Sequence, residues 1–333
     1  MRARATTTSQ ATRVGRHARA RAVGIATALA LSVVAWRGAP AARATAFESR
    51  RATSTTRAPR PASPCGRSAT PPAVYDHVIW IWMENKSSNQ VIGSAQAPYE
   101  TSLAAQCASA SKYSSVGSPS LPNYIGATSG STHGISDDGS PAEHSITADN
   151  LFRQVRGQGG KARSYEESMT GTCNLGAAGR YAVKHNPAAY YVGGSDRSAC
   201  QADDIPLGGV KSGALRGDLD TSTLPTFAFV TPNLCNDTHD CSVRTGDRWL
   251  QRWLPVMLAS DSYAAGRTAI FVVWDEDSPM PFIAIAPTVR PRTVLGAAVD
   301  HYALLRTTEE MLGLPTLLGA AAQAPSMRTS LHL

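Results

Sequence analysis

The sequence predicts an α/β fold, a mostly parallel sheet with helices on both faces, and three observations lead there. Four short runs are continuously apolar and rich in β-branched and aromatic residues, the pattern of strands buried on both sides. Helical patterns lie between them, and strand–helix–strand alternation selects a parallel sheet. Polar residues suited to chemistry sit just after three of the four runs, where ligands bind in such sheets.

Taken in order, the chain does not begin with its fold. Residues 1–44 hold eight arginines and no acid, then the apolar run Ala22–Trp36, then Ala42-Arg43-Ala44. That order is a secretory signal peptide. The run is too short for the roughly 20 residues that span a bilayer, so no stable membrane anchor is expected after cleavage. Residues 45–74 are rich in Arg, Ser, Thr, Ala and Pro without hydrophobic period, and read as a disordered linker. The domain is expected over 75–333. Of the formal charge of +7, residues 1–44 carry eight positive charges. The linker carries a net four more, Arg50, Arg51, Arg57, Arg60 and Arg67 against Glu48, which leaves −5 from Tyr75 onward. The basic balance therefore belongs to the leader and linker, and a nucleic-acid partner is excluded.

The strands are Val78–Met83, Thr226–Val230, Ala269–Trp274 and Phe282–Ala286. Helices are expected over Pro98–Ala110, Asp149–Val155, Asp247–Leu258 and Tyr302–Leu312. The third aligns Trp249, Trp253, Leu254 and Met257, and Gly313 stops the last. The Gly- and Ser-rich stretch 191–217 reads as surface excursions. Six cysteines in an exported chain favour disulfides. Cys235 and Cys241 are close enough to close a small loop, and Cys65 with Cys107 and Cys173 with Cys200 would complete a sequential pattern. Other connectivities stay open, as does a metal reading of Cys235-x3-His239-x-Cys241, which an oxidising compartment disfavours.

The first strand ends Met83-Glu84-Asn85, the second Thr231-Pro232-Asn233, and the third Trp274-Asp275-Glu276-Asp277. A single acid after a strand usually caps a helix or faces water. Three in a row repel unless a cation lies among them, and a hard divalent ion held by oxygens is the natural resolution.

The segment Ser118-Pro119-Ser120-Leu121-Pro122-Asn123-Tyr124, followed by Ser129-Gly130-Ser131-Thr132-His133-Gly134-Ile135, resembles the nucleophile segment of nucleotide pyrophosphatases and phosphodiesterases. From Tyr75 to about Pro315 the chain is more similar still to the bacterial phosphoesterase family of acid phosphatases and phospholipases C, which are alkaline-phosphatase-like. Glu84-Asn85, Ser120-x-Pro122-Asn123-Tyr124, Tyr165-x-Glu167-Ser168-Met169 and Lys184-His185-Asn186-Pro187 carry the resemblance. Asn236-Asp237-x-His239-Asp240, Gly246-Asp247-x-Trp249-Leu250, Asp275-Glu276-Asp277 and His301-Tyr302-x-Leu304-Leu305-Arg306-Thr307 continue it in order. The resemblance implies a secreted hydrolase of phosphomonoesters, phosphoinositides included. It implies one divalent ion among Glu84, Asn85, Ser120, Asp275 and Glu276, with Ser120 as nucleophile. Asn123 would hold a phosphate oxygen, His185 and Asn186 would line the substrate, and His239 or His301 would protonate the leaving alcohol.

Each residue also has a plainer reading. Ser120 alone, between two prolines, would be a turn serine, and Asn123 would make an Asx-turn. His239 would shape the Cys235–Cys241 loop, His301 would cap the last helix, and His185 would support the turn to Pro187. His77, His144 and His332 receive no role. Relatives often carry His where this chain has Ser118, and the loop from Asp277 to Pro281 is short. Two alternatives stand beside the phosphatase: a phospholipase C-type phosphodiesterase, and a secreted binding protein that keeps the fold without activity. A sulfatase is disfavoured because the Cys/Ser-x-Pro-x-Arg motif is absent. The metal's identity and the oligomeric state are not legible.

Overall fold

A computed structural model describes residues 63–333. Ten strands run as β1 His77–Met83, β2 Ala108–Ala110, β3 Tyr113–Ser114, β4 Ala162–Glu166, β5 Asp204–Pro206, β6 Phe227–Thr231, β7 Thr268–Trp274, β8 Phe282–Ile285, β9 Thr293–Leu295 and β10 Val299–Asp300. The longer helices are α1 Pro98–Gln106, α2 Ser120–Ser129, α3 Leu151–Gly157, α4 Asp196–Asp203, α5 Ala214–Asp220, α6 Val243–Leu258 and α7 His301–Met311. Eight strands form one sheet in the order β5-β4-β6-β1-β7-β8-β2-β9, and β10 pairs with β3 separately. The centre is parallel: β1 lies between β6 and β7, and β4 joins β6. β8 is antiparallel to both β7 and β2.

Side chains alternate across a strand, so β1 has two working faces. Trp80 and Trp82 point one way. Trp80 Nε1 donates to Thr308 Oγ1 of α7 at 3.0 Å, and Trp82 packs on Tyr124 of α2 at 5.2 Å between ring centroids. Phe152 of α3 closes on Phe227 and Phe229 from the same side. Met83 points the other way, against Gly246 of α6, where an added Cβ would meet its terminal carbon at 2.9 Å. Helices therefore cover both faces, as expected.

All four expected strands form, and three of the four helices shift by only a few residues. Pro98–Ala110 is the exception. Its helix stops at Gln106 because Cys107 is tied to Cys65, and Ala108–Ala110 turns into β2. The stretch 191–217 holds α4, β5 and the start of α5. β4 is absent from the apolar pattern because its polar side chains are buried with partners: Arg163 reaches Asp203 and Asp218, and Ser164 donates to Glu166. The expected linker also ends early. Cys65 is buried and disulfide-bonded, and the Gly66 and Arg67 N–H groups donate to the carbonyls of Val289 and Pro287. A disulfide and main-chain bonds order this segment without any hydrophobic period to announce it. The expected signal peptide and residues 45–62 of the expected linker lie outside the described residues.

The three disulfides pair in sequence order, Cys65–Cys107, Cys173–Cys200 and Cys235–Cys241. That removes the metal reading of the last pair. Among the described residues, no helix is long and apolar enough to cross a membrane.

Candidate active site at the carboxyl edge of the sheet

The register of two neighbouring strands builds the centre. Met83 is paired with Trp274, so Glu84 and Asp275 leave the sheet side by side. Main-chain bonds fix both: the Asp275 N–H donates to Met83 O at 3.2 Å and the Glu84 N–H to Asp237 O at 2.8 Å. Thr238 Oγ1 donates to Glu84 O at 2.7 Å. Asn85 then turns sharply, with φ of 43°, a left-handed conformation that Asn tolerates better than most residues. The turn sends its N–H to Asp275 Oδ1 at 3.0 Å and its side chain back over the acids.

Four oxygen-bearing side chains converge there. One terminal atom of the Asn85 amide lies 3.1 Å from Glu84 Oε2, 3.1 Å from Glu276 Oε1 and 3.0 Å from Asp275 Oδ1. A nitrogen in that place donates to all three, whereas an oxygen there requires a cation to share. Ser120 Oγ donates to Glu84 Oε2 at 3.2 Å, and Ser118 Oγ to Glu276 Oε2 at 3.3 Å. Ser120 opens α2, whose first N–H groups and positive dipole end favour a negative oxygen beside it.

The electrostatics agree with the crowding. Burial pushes the Glu84 carboxyl well above the usual carboxylate range, and the charges of Asp275 and Asp237 push it further. Asp275 is pushed up to about 6 by burial, against the hydrogen bond from the Asn85 N–H. Half-buried Glu276 is raised by burial and then by Asp275. Carboxylates this close resist ionising together unless a positive charge joins them. Their donor set, all oxygen, suits a hard divalent ion, and Glu84, Asn85, Ser120, Asp275 and Glu276 are the residues able to hold one.

A nitrogen-bearing wall adjoins the acids. Tyr124 donates to Glu84 Oε1, and its ring stacks on His185 at 5.2 Å and 5°. His185 Nε2 lies 3.2 Å from the same Glu84 oxygen without the alignment of a hydrogen bond, and its Nδ1 lies 3.5 Å from Asp237 Oδ2. Burial holds His185 well below its ordinary value, which favours the neutral ring. Asp237 is pushed up to about 7 by burial, opposed by the His239 N–H. One ring nitrogen of His239 falls within 4.8 Å of the donor atoms of Glu84 and His185. His239 Nδ1 bonds Asp240 Oδ1 at 2.7 Å, and its side chain is 29% exposed, which puts it at the mouth.

Four expected site residues do other work. Asn123 is wholly buried and fully engaged. Its Oδ1 accepts from the Val116 and Gly117 N–H groups at 2.9 and 2.8 Å, and its Nδ2 donates to Gly117 O and Pro119 O. It staples the loop that delivers Ser120 and has no group left for a phosphate. Asn186 is also wholly buried, donating to Asp204 Oδ2 at 2.8 Å and Tyr181 Oη at 3.0 Å away from the acids. His301 starts α7 beneath the site. Its Nε2 donates to Asp275 O at 2.7 Å and its Nδ1 accepts from Tyr113 Oη at 2.8 Å. Burial lowers its pKa to about 4, and with both nitrogens occupied it cannot protonate a leaving group. His185 belongs to the wall behind Glu84 instead of a substrate surface.

Tyr124, Asp237, Asp138 and Lys184 were not expected at the site. Tyr124, Asp237 and Lys184 lie within quoted motifs, near the residues chosen from them. Asp138 sits in a polar loop with no period, and its Oδ1 accepts from the Leu121 N–H at 3.0 Å.

The phosphoesterase family model matches residues 80–280. A phosphatidylinositol-3-phosphatase of Mycobacterium tuberculosis is 31% identical over 268 residues, covering 78% of this chain and 84% of that protein. An acid phosphatase of Aspergillus fumigatus is 27% identical over 73% of this chain, which spans 56% of the fungal protein. Among solved structures, a protein of the alkaline phosphatase superfamily from Vibrio parahaemolyticus has a TM-score of 0.52 at 13% identity, covering 80% of this chain and 74% of its own. That likeness is one of fold.

Proposed function

Because the chain belongs to the phosphoesterase family, we propose that it is a metal-dependent acid phosphatase that hydrolyses phosphomonoesters through a phosphoserine on Ser120. The observation that carries this is a serine hydroxyl at a helix start, 3.2 Å from Glu84 Oε2 within a buried group of acids. A divalent ion held by Glu84, Asn85, Ser120, Asp275 and Glu276 would supply charge neutralisation and a more acidic serine hydroxyl.

The chain's own residues then divide the work. Ser120 Oγ attacks phosphorus as its proton passes to Glu84. The bond from phosphorus to the leaving oxygen breaks, and that oxygen takes a proton from His239, whose Nδ1 is anchored on Asp240. A water then attacks phosphoserine, gives its proton to His239, and Ser120 recovers its own from Glu84. Asn123 keeps Ser120 in place, while Tyr124 holds Glu84 Oε1 so that Oε2 faces the serine.

The mycobacterial relative's name supports phosphoinositide monoesters as substrates. Three disulfides, with the basic–apolar–small order of residues 1–44, support export. The test compares p-nitrophenyl phosphate with its bis-ester, before and after chelation and with Mg²⁺ or Mn²⁺ restored. Preferred hydrolysis of the monoester, lost on chelation and recovered with metal, is expected. A preference for the bis-ester selects the phospholipase C-type reading, and inertness toward both selects the inactive binding protein. Full turnover in exhaustively chelated, metal-free protein removes the ion from the mechanism.

A further inference from the structure

Asp138 occupies an unusual place for an acid. Its Oδ1 accepts from the main-chain N–H of Leu121, the residue after the serine, at 3.0 Å. Its Oδ2 accepts from Lys184 Nζ at 2.8 Å. The side chains of Lys184 and Asp138 are 23% and 29% exposed, so the pair sits at the mouth. Lys184 adjoins His185, whose Nε2 is buried without a hydrogen-bond partner and points at Glu84 Oε1. Glu84 in turn accepts from Ser120, so the Asp138–Lys184 pair borders the residues on both sides of the nucleophile.

A carboxylate bridging a helix-start N–H and an ammonium presents two oxygens in the manner of two non-ester oxygens of a phosphate. An ion pair that stays open to solvent on one side adds little to folding. A fixed negative charge beside a cluster of acids also opposes the entry of an anion, unless that charge gives way. We propose that Asp138 is an internal stand-in for the substrate phosphate, and that Leu121 N–H and Lys184 are the donors that grip the phosphate once Asp138 is displaced. Asp138 is thus a built-in competitor that sets phosphate affinity and product release.

This inference rests on the phosphate-ester reading of the site, so its test avoids turnover. Inorganic phosphate is titrated calorimetrically into metal-supplemented native protein, Asp138→Asn and Lys184→Gln. The Asn variant keeps an acceptor for Leu121 but loses the charge, and phosphate should bind about tenfold tighter, as expected for removing one partly screened like charge. Lys184→Gln should bind phosphate about tenfold more weakly. Affinities within about twofold of native in both variants, or weaker binding by a folded Asp138→Asn, overturn the proposal. If Asp138→Asn fails to fold, the Lys184→Gln affinity decides alone. Charge-dependent phosphate binding in a protein that hydrolyses no ester keeps this inference and removes the phosphatase. Hydrolysis with charge-independent binding does the reverse.

Discussion

Ser120 is 1% exposed and offers one hydroxyl, so Ser120→Ala deletes chemistry and almost no packing. The expected loss in kcat is up to ~10⁶-fold, the scale of removing a nucleophile. A rapid acid quench of the native enzyme should trap phosphate on the Ser120 peptide. Retention of more than about a tenth of native activity, a loss of only ~1.4 kcal/mol, would favour direct attack by water. His301 makes a contrasting prediction. Because both His301 ring nitrogens are bonded within the protein, one of them to the Asp275 carbonyl, His301→Asn should reduce turnover of p-nitrophenyl and alkyl phosphates by the same factor and weaken metal binding. A selective loss on alkyl phosphates, whose leaving group needs a proton, would return His301 to the role of acid.

At the scale of the element, helix junctions hold buried acids. Asp247 of α6 accepts from the Glu100 N–H at 2.9 Å and so caps α1 from outside. Glu100 itself is wholly buried, and burial with the nearby Asp247 holds its carboxyl well above the usual range. In α7, burial pushes Glu309 up to about 8, opposed by the Leu318 N–H. A raised folded pKa means the native state binds the proton more tightly than the unfolded chain. The resulting stability is complete below the unfolded value of roughly 4.3 and fades as pH rises through the folded one. Thermal midpoints should therefore fall between about pH 4 and 8, and Glu309→Gln should flatten that slope. An unchanged slope would show Glu309 ionised throughout. The same scale explains what the sequence revealed. β1 and β7 were legible because their buried residues from Val78 to Met83 and from Ala269 to Trp274 are all apolar, Glu84 and Asp275 because they follow those strands directly, and Ser120 because of its motif. β4 was hidden by buried polar residues with partners. Asn123 and His301 were misread because a motif tells which residues meet, not which of their atoms are already bonded.

For the whole molecule, the disulfides divide stability from activity. Cys65–Cys107 closes a separation of 42 residues, and closures of that length restrain the unfolded chain by about 4 kcal/mol. Replacing both with Ser should lower the thermal midpoint and leave kcat near native. Cys235–Cys241 closes only 6 residues but encloses Asp237 and His239, so its removal should lower kcat and metal affinity more than the midpoint. Equal effects of the two removals on kcat would detach the small loop from the site. The segment tied by Cys65 also says where the chain enters. Residues 66–68 bond to Pro287 and Val289, just past β8, and β8 runs against β7. His332 Nε2 bonds Ala69 O, and Arg328 reaches Pro72 O and Ala73 O. Both ends of the folded domain thus emerge at the rim of the sheet opposite Ser120. Attached to a bead, a cell wall or a fusion partner through either end, the domain would present the mouth around Ser120 outward.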